Sequence, residues 1–189
     1  MSEPENRRIP AEAGVWVFVI SDMMVFAIMF ASFVYHRSQA PELYAMGSRP
    51  LSVGLGLLNT IVLLTGSLFV ARGVEAFRIA HFDRSRRLIL LGIACGALFV
   101  GVKCVEWNDA FVAGLTPLAG DFHMFYFMLT GIHLVHVILA SILLIIVRNW
   151  KVDPARPAAA LIATEAGGIV WHLVDLIWIV LFPLLYLTS

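Results

Sequence analysis

Charged residues are scarce in this sequence, and their scarcity decides the class of protein. Only 14% of the 189 residues are charged, whereas 60% are hydrophobic and the mean hydropathy is +0.89. A water-soluble domain carries roughly a quarter charged residues. The composition therefore excludes a soluble globular protein, a disordered protein and a secreted protein built on disulfide bonds.

Net charge and cysteine are nearly absent as well. Lys and Arg together number 13, as do Asp and Glu, so the chain has no net charge with which to attract nucleic acid. Its two cysteines, Cys95 and Cys104, lie in one apolar run. A helix separates residues at this spacing by about 13 Å and places them on opposite faces, beyond the reach of a disulfide bond. Phosphate-binding loops, dinucleotide fingerprints, nucleophile elbows and Cys-x-x-Cys pairs are also missing from the sequence.

What the sequence has instead is long apolar runs. A helix needs about 20 mostly apolar residues to cross the hydrocarbon core of a membrane. Five runs meet this requirement, at residues 15–35, 51–71, 88–105, 124–147 and 168–187. Residues 37–50, which contain the helix breakers Pro41 and Pro50, are expected to form a loop between the first two runs, and the charged residues 72–87 are expected to connect the second and third runs. The five runs predict an all-α, polytopic membrane protein with five transmembrane helices and a single domain over residues 1–189.

The basic residues are divided unequally between the two predicted sides of the membrane. The side of the N-terminus would hold Arg7, Arg8, Arg72, Arg78, Arg84, Arg86, Arg87, Arg148, Lys151 and Arg156. The other side would hold Arg37, Arg49 and Lys103. Basic residues are concentrated on the cytoplasmic side of membrane proteins. We therefore expect a multi-pass membrane protein with its N-terminus in the cytoplasm and its C-terminus on the outer side of the membrane.

Ionisable residues inside the predicted spans or at their ends are the candidate functional residues. Such residues are costly in a membrane, and they usually face the interior of the bundle and pair with a partner. The set consists of Asp22, Lys103, Glu106, His133, His136, Glu165, His172 and Asp175.

Three pairs within this set have a spacing of three residues, which places both side chains on one helix face. Lys103 and Glu106 predict an ion pair at the membrane interface that caps a short helix. His172 and Asp175 predict a local hydrogen bond in which the carboxylate accepts from the imidazole. The third pair, His133 and His136, permits a wider choice of hypotheses.

His133 and His136 have the residue type of metal and haem ligands. With Glu106 and Asp175 from other spans they would give the mixture of carboxylates and histidines found in di-iron bundles. The spacing argues against such a site, because di-iron bundles repeat a Glu-x-x-His unit on two helices and no span here contains one. The alternative is hydrogen bonding between helices around Thr130, Gly131 and Ser141.

Small residues mark the second span as a packing surface. Small and hydroxylated residues let helices approach closely in a membrane, so this span is expected to contact other helices rather than lipid. Its residues of this kind are Gly54, Gly56, Asn59, Thr60, Thr65, Gly66 and Ser67. Aromatic residues near the span ends predict a belt at the membrane interface. These residues are Trp16, Tyr35, Trp107, Trp150 and Tyr186.

Several motifs together resemble those of a known family. In the first two spans they are Val19-Ile20-Ser21-Asp22, Tyr35-His36 and Leu58-Asn59-Thr60. In the next two they are Lys103-x-x-Glu106-Trp107 and Phe127-x-x-Thr130-Gly131-Ile132-His133-Leu134-x-His136-Val137. In the fifth they are Glu165-Ala166 and Trp171-His172-x-Val174-Asp175-x-x-Trp178. Because these motifs occur in order through all five spans, the sequence resembles subunit III of the haem-copper oxidase superfamily.

This resemblance implies a function. Larger members of the family have seven helices, and this chain resembles their last five. Five-helix members belong to bacterial quinol oxidases, to some cytochrome c oxidases and to the accessory subunit that accompanies nitric oxide reductase. The stretches Asp22-Met23-Met24, Lys103-x-x-Glu106-Trp107 and Phe122-His123-Met124-Phe125-Tyr126-Phe127 most resemble the last branch. The expected function is a non-catalytic subunit that supports assembly, stability and proton uptake of the catalytic subunit in respiratory electron transport.

The resemblance also implies the cofactors, the partner and two residue roles. The chain would bind neither haem nor copper, which would belong to the partner, catalytic subunit I. The family's carbodiimide-reactive glutamate corresponds to Asp22, a shorter carboxylate. The family's arginine for lipid headgroups corresponds to Arg148. Seven-helix members hold phospholipid in a cleft between their first two helices and the other five, so a structural phospholipid is expected here between the chain and its partner.

Two functions of other classes compete with this interpretation. A stand-alone membrane metalloenzyme would use His133, His136, Glu106 and Asp175. A small proton-coupled transporter would use the buried carboxylates as a proton relay. The sequence leaves open the electron donor of the complex, cytochrome c or quinol, and its terminal acceptor, oxygen or nitric oxide.

Overall fold

Helices make up the parts of the chain that the structure describes. The computed structural model describes residues 13–150 and 157–187, and no strand occurs in these two ranges. The helices are α1 (Ala13–Gln39), α2 (Pro41–Ser48), α3 (Val53–Arg78), α4 (Phe82–Val112), α5 (Asp121–Asn149) and α6 (Pro157–Tyr186). The predicted all-α fold is confirmed.

Five helices of the described ranges, namely α1, α3, α4, α5 and α6, are long and apolar enough to cross a membrane. They confirm the five predicted spans, but each helix is longer than its predicted apolar run. The third run, predicted at 88–105, lies within the 31 residues of α4. Polar residues such as Asp83 and Arg84 belong to the helix although they lie outside the apolar run. Hydropathy detects only the part of a helix that fits the hydrocarbon core, so it underestimates the helix length.

The connection between α3 and α4 is correspondingly short. Residues 72–87 were predicted to connect two spans, whereas the two helices are separated only by residues 79–81. Ala80 has a positive φ of 59°, and the backbone N–H of His81 donates to the carbonyl of Ala76 at 2.9 Å. A left-handed residue of this kind ends a helix by satisfying its last carbonyl groups. The result is a tight hairpin of two antiparallel helices.

The short helix α2 was not predicted. The prolines of this connection indicated a loop, but Pro41 lies in the first turn of α2, where a missing N–H is tolerated. Tyr44 anchors the helix, because its ring packs edge-on against Phe33 of α1 at 5.3 Å and against Phe122 of α5 at 5.9 Å. Burial, and to a smaller extent the nearby carboxylate of Asp121, raises the pKa of the Tyr44 phenol. This phenol therefore stays uncharged at neutral pH.

Close approach of α3 and α4 forms the centre of the bundle. A Cβ atom at Gly66 would lie 2.9 Å from the Cβ of Cys95, and a Cβ atom at Gly92 would lie 2.6 Å from Cγ2 of Val70. Real Cβ atoms do not approach so closely, so glycine is required at both positions. The prediction that the second span packs closely against another helix is confirmed, but the span is not covered on all sides, because Leu57, Ile61 and Leu68 form an exposed apolar face of α3.

Helix α1 lies at the periphery. Its buried residues are Val19, Phe26 and Phe33, which repeat every seven residues and form one narrow stripe. Val19 and Phe26 pack with Leu173 and Ile177 of α6, in a cluster separate from the main core. The other faces of α1 are largely exposed apolar surface. The inner bundle is therefore α3 to α6, with α1 leaning against its edge.

Candidate functional site

Asp22 of α1 and His136 of α5 form a pair that joins the peripheral helix to the inner bundle. Oδ1 of Asp22 lies 3.0 Å from Nε2 of His136, and Nδ1 of His136 lies 2.7 Å from the carbonyl oxygen of Ile132. A carbonyl oxygen can only accept, so Nδ1 carries a proton. Nε2 and Oδ1 must then share a further proton, which resides either on the imidazole or on the carboxyl group. In either arrangement, one proton lies between the imidazole and the carboxyl group.

This pair lies at the edge of the bundle and has unused hydrogen-bonding capacity. The Asp22 side chain is 11% exposed and the His136 side chain is 20% exposed. The ring of Phe26 packs against the His136 ring at 5.5 Å. Oδ2 of Asp22 has no hydrogen-bond partner within the described part of the chain. A proton donor that reaches this oxygen could therefore bind to the pair.

Lys103 and Glu106 of α4 form a second pair, in the interior. Lys103 is 0% exposed, and its Nζ donates to Oε2 of Glu106 at 3.2 Å, to the hydroxyl of Tyr126 at 3.3 Å and to the hydroxyl of Tyr186 at 2.6 Å. Both tyrosine hydroxyls donate in turn to Oε1 of Glu106, that of Tyr126 at 2.6 Å. The three donor hydrogens of the ammonium group each have an acceptor. We call these four residues the Lys103 cluster.

The Lys103 cluster corrects two predictions. The ion pair was expected at the membrane interface as a cap of a short helix, but it is buried and α4 continues to Val112. Tyr186 was expected in the interfacial aromatic belt, but its hydroxyl points into the cluster. The rings of Tyr126, Trp178 and Tyr186 lie 5.0 to 5.3 Å from Nζ. Aromatic faces and a counter-charge together allow an ammonium group to be buried.

His133 and His136 contact different neighbours, although their spacing predicted one shared face. The ring of His133 is stacked on Trp178 of α6 at 5.2 Å and packs edge-on against Phe99 of α4 at 5.5 Å. Neither ring nitrogen of His133 has a hydrogen-bond partner among the described residues. His133 therefore faces the inner bundle, whereas His136 faces α1.

The hydroxyl groups of Thr130 and Ser141 were predicted to form hydrogen bonds between helices, and this prediction is wrong. Thr130 donates to the carbonyl of Tyr126 at 2.6 Å, and Ser141 donates to the carbonyl of Val137 at 2.8 Å. Both acceptors lie four residues earlier on α5 itself. In an apolar environment the nearest available acceptor for a hydroxyl is the backbone of the preceding turn. The polar link from the middle of α5 to another helix is made by His136 instead.

His172 of α6 bonds to another helix rather than to its neighbour Asp175. Its Nδ1 lies 2.7 Å from Oγ of Ser67 on α3 and 3.9 Å from Oδ2 of Asp175, which is too long for a hydrogen bond. The predicted His172–Asp175 hydrogen bond is therefore wrong, because Ser67 occupies the nitrogen that faces the carboxylate. Serine and aspartate lie on the same imidazole nitrogen, so the three residues do not have the geometry of a nucleophilic triad. Asp175 is 4% exposed, and neither carboxylate oxygen has a partner in the described ranges.

Glu165 of α6 pairs with Arg78 at the end of α3. Nε of Arg78 donates to Oε1 of Glu165 at 2.9 Å. Both residues line a groove of about 280 Å³, together with His172 and with apolar residues that include Trp16 of α1 and Ala71 of α3. The groove thus has a charged pair and an imidazole between apolar walls.

Arg148 lies at the end of α5. Its Nε donates to the backbone carbonyl of Arg86 at 3.2 Å, and its Nη1 donates to Oδ1 of Asn149 at 3.2 Å. These bonds hold the guanidinium between the end of α5 and the start of α4. The role in lipid binding that the resemblance implies stays a prediction.

The residues proposed for a metalloenzyme do not converge. Glu106 belongs to the Lys103 cluster, His133 stacks on Trp178, His136 pairs with Asp22, and Asp175 lies beside His172. Over residues 13–150 and 157–187, no group of three or more His, Cys, Asp or Glu side chains is arranged to hold a metal ion.

Sequence reasoning missed the partners of the buried charges: Tyr126 and Tyr186 in the Lys103 cluster, Ser67 beside His172, and Arg78 beside Glu165. A signal for the tyrosines was present. Helices that cross a membrane in alternation bring the end of α4, the start of α5 and the end of α6 to the same side. Tyr126, Tyr186 and the Lys103–Glu106 pair lie near those three helix ends.

Comparison of the sequence with protein-family models assigns the chain to a defined family. The family model described as Cytochrome c oxidase subunit III matches residues 8–189. The chain therefore belongs to the cytochrome c oxidase subunit III family, whose members are non-catalytic accessory subunits of haem-copper oxidases.

Individual relatives agree with this assignment. The chain is 32% identical to the Heme-copper oxidase subunit I+III of Aeropyrum pernix, over 93% of this chain and 22% of that protein. It is 29% identical to the Cytochrome c oxidase subunit 3 of Corynebacterium diphtheriae, over 96% of this chain and 89% of that one. For the Cytochrome c oxidase subunit 3 of Synechocystis sp. the identity is 27%, over 92% and 74% of the two chains. The chain thus spans about a fifth of the fused relative and most of the separate subunits.

Proposed function

We propose that the chain packs beside the haem-bearing catalytic subunit I of a haem-copper oxidase and supports the assembly, stability and proton uptake of that subunit. The observation that carries the proposal is the similarity to the Aeropyrum pernix protein, whose name joins subunits I and III in one chain. Subunits joined in one polypeptide belong to one complex. The separate chain is expected to form the same kind of complex by non-covalent docking.

Co-purification tests this proposal. The chain carries an affinity tag, the membranes are solubilised in mild detergent, and the co-purifying protein is identified by mass spectrometry. We expect a haem-containing subunit I in stoichiometric amount. A chain that purifies alone with one bound metal ion, or that transports protons by itself in vesicles, would support the metalloenzyme or the transporter and contradict the proposal.

The proton-related role is assigned to the Asp22–His136 pair. The pair shares a proton, it lies at the edge of the bundle, and Oδ2 of Asp22 has spare acceptor capacity. A group with these properties can exchange a proton with a neighbouring subunit, whereas the saturated Lys103 cluster cannot do so without breaking its bonds. The carboxyl group of Asp22 is also expected to react with a hydrophobic carbodiimide.

Asp22→Asn tests this role, because asparagine keeps the shape and the hydrogen bonding but removes the titratable proton. We expect the assembled complex to inactivate slowly during sustained turnover while the chain stays bound. The matched control is Asp109→Asn, which changes an exposed aspartate on α4. Unchanged turnover of the Asp22 variant during sustained catalysis would leave this residue with a packing role only.

The N-terminus is proposed to be cytoplasmic. Arg72 and Arg78 near the end of α3, Arg84 near the start of α4 and Arg148 at the end of α5 support this orientation. Lys103 is no longer counted among the basic residues on the outer side of the membrane, because it is buried inside the bundle. Arg7, Arg8, Lys151 and Arg156 lie outside the described residues. A reporter enzyme that is active only outside the cytoplasm, fused after Ser189, should be active in a bacterial host.

The branch of the family is proposed to be the one that accompanies nitric oxide reductase, on the sequence stretches around Asp22, Glu106 and Phe125. The test measures consumption of oxygen and of nitric oxide by the purified complex, with cytochrome c and with quinol as electron donors. It identifies both the terminal acceptor and the electron donor. Nitric oxide reduction without oxygen reduction supports this branch. Oxygen reduction alone assigns the chain to a terminal oxidase.

A further inference from the structure

The groove between α1, α3 and α6 carries polar side chains where a membrane-spanning bundle normally meets lipid. Arg78 and Glu165 lie at one end of the groove, and His172 lies seven residues further along α6. A helix rises about 10 Å over seven residues. The imidazole therefore lies well below the level of the charged pair, towards the middle of the membrane.

His172 is too exposed for a residue at this depth if lipid surrounds it. Its side chain is 45% exposed. Polar side chains inside a membrane face the protein interior or a water-filled cavity, because hydrocarbon offers them no hydrogen bonds. A volume of about 280 Å³ has room for several water molecules of about 30 Å³ each. Water satisfies both the exposed imidazole and the charged pair, whereas an acyl chain satisfies neither.

Asp175 lies one helical turn beyond His172, and His172 is the groove-lining residue closest to it along α6. Asp175 is nine-tenths or more buried, both carboxylate oxygens lack a partner within the described residues, and Oδ2 lies 3.9 Å from Nδ1 of His172. The hydroxyl of Ser67 on α3 lies beside the same nitrogen. His172 therefore separates the carboxyl group from the groove.

Beyond Asp175, a hydrogen bond and aromatic packing close the described part of the interface between α6 and α3. One turn beyond Asp175, the indole N–H of Trp178 donates to Oγ1 of Thr60 at 3.0 Å and links α6 to α3. Trp178 itself is buried between Phe99 and His133. Asp175 therefore marks the inner end of the polar region.

We propose that this groove is a water-filled inlet, open at the Arg78–Glu165 end, through which Asp175 exchanges a proton with the aqueous phase. A proton that leaves the carboxyl group passes to Nδ1 of His172 once the two side chains close the 3.9 Å between them, and Nε2 of His172 releases its own proton to water in the groove; uptake reverses both transfers. Because the inlet is closed beyond Asp175, it holds a proton and does not conduct protons across the membrane. The inference rests on the membrane-spanning fold and is independent of the proposed partner.

The first experiment measures water in the groove. Cysteine replaces His172 or Leu176, which is 49% exposed on the same helix but outside the groove. Both variants are made in a chain whose Cys95 and Cys104 are replaced by alanine, and the complex is placed in lipid nanodiscs with both faces open to reagent. Only a thiolate in water reacts readily with a charged thiol reagent. We expect His172→Cys to react at least about tenfold faster than Leu176→Cys.

A second pair of variants guards against loss of folding in His172→Cys. Ala71→Cys lines the groove, and Leu68→Cys lies on the exposed apolar face of the same helix. Faster labelling of the groove position in either pair supports the inlet. Equally slow labelling of both members in both pairs means that lipid or a partner helix fills the groove, and it overturns the proposal whether or not subunit I co-purifies.

The second experiment measures Asp175 itself. The infrared band of its protonated carboxyl group is identified by its loss in Asp175→Asn, and its shift is followed after transfer to D2O. Ala71→Trp fills the groove, whereas Leu68→Trp adds the same side chain outside it. We expect exchange to slow by about tenfold or more in Ala71→Trp and to stay unchanged in Leu68→Trp. Equal exchange in the two tryptophan variants, or a band that does not depend on Asp175, contradicts the inlet.

Discussion

The interior of the bundle and its edge each contain a paired acid and base, and the two pairs are built differently. In the interior, Lys103 and Glu106 are neighbours on one helix and receive hydroxyl groups from α5 and α6. At the edge, Asp22 and His136 join two helices and leave one carboxylate oxygen without a partner among the described residues. All hydrogen-bonding groups of the interior pair therefore have partners, whereas the edge pair has spare hydrogen-bonding capacity.

This difference indicates which pair stabilises the fold and which can take part in chemistry. A buried ion pair in low dielectric is tolerated only when its hydrogen bonds are complete. Removal of one partner leaves the other charge buried without a counter-charge. A pair with spare capacity near the surface can gain or lose a proton with less rearrangement. The Lys103 cluster is therefore expected to stabilise the bundle, and the Asp22–His136 pair is expected to tolerate change.

Lys103→Met should have the largest effect on stability. It leaves the carboxylate of Glu106 buried without its cation, which costs about 3–5 kcal/mol in comparable buried pairs. Unfolding in mixed detergent micelles, followed by circular dichroism, measures the loss. The double variant Lys103→Met/Glu106→Gln removes both charges and should recover most of the stability. A single variant as stable as the double one would show that the interior pair is not the stabilising element.

Tyr186→Phe should have the next largest effect. It removes the hydroxyl that accepts from Lys103 and donates to Glu106, and hydrogen bonds to charged groups contribute about 1.5–3 kcal/mol. The same unfolding measurement applies. Tyr35→Phe is the control, because Tyr35 is exposed on α1. Equal stability of the two variants would contradict the role assigned to the Tyr186 hydroxyl.

His136→Leu should have a smaller effect on stability, about 1 kcal/mol, because the exposed edge lets the Asp22 carboxyl group keep a proton or meet water. We expect the bundle to unfold nearly as the unmodified chain does, while α1 becomes more accessible to protease. Limited proteolysis, with cut sites assigned by mass spectrometry, measures this. A loss as large as that in Lys103→Met would abolish the distinction between the two pairs.

Arg148→Ala should change stability least, by about 0.5 kcal/mol or less, as is usual for partly exposed side chains. Its expected effect is on bound phospholipid, since a guanidinium at the membrane surface attracts phosphate. Lipid content of the purified complex should fall more than in Arg84→Ala, which changes an exposed arginine on α4. Equal lipid content in the two variants would remove the lipid role from Arg148.

The spans could be predicted from the sequence because hydropathy measures the property that the membrane selects. The helix ends could not be predicted, since a helix continues into water with polar residues that carry no hydropathy signal, as Asp83 does in α4. The short helix α2 was missed for a related reason. Pro41 was interpreted as a helix breaker, but at the first turn of a helix it is a favourable residue.

The candidate polar residues stay predictions as functional residues, and most of their contacts could not be predicted from the sequence. Spacing along one helix suggested that His172 bonds to Asp175 and that His133 and His136 share a face. In the structure, the hydroxyl of Ser67 on α3 is hydrogen-bonded to Nδ1 of His172. His133 packs against α6, and His136 pairs with Asp22 of α1. Residues three apart differ by about 60° around a helix, so a neighbouring helix can easily receive one and not the other.

From the sequence alone one could predict five membrane-spanning helices, the burial of several acids and bases, and the resemblance to subunit III of the haem-copper oxidases. Those properties depend on residue type and order along the chain, which the sequence states directly. The fold was needed to show that each donor hydrogen of Lys103 has an acceptor, that Asp22 reaches His136 and that His172 lines a groove. These contacts depend on how helices rotate and cross, and that is set by close packing at positions such as Gly66 and Gly92 rather than by any local pattern.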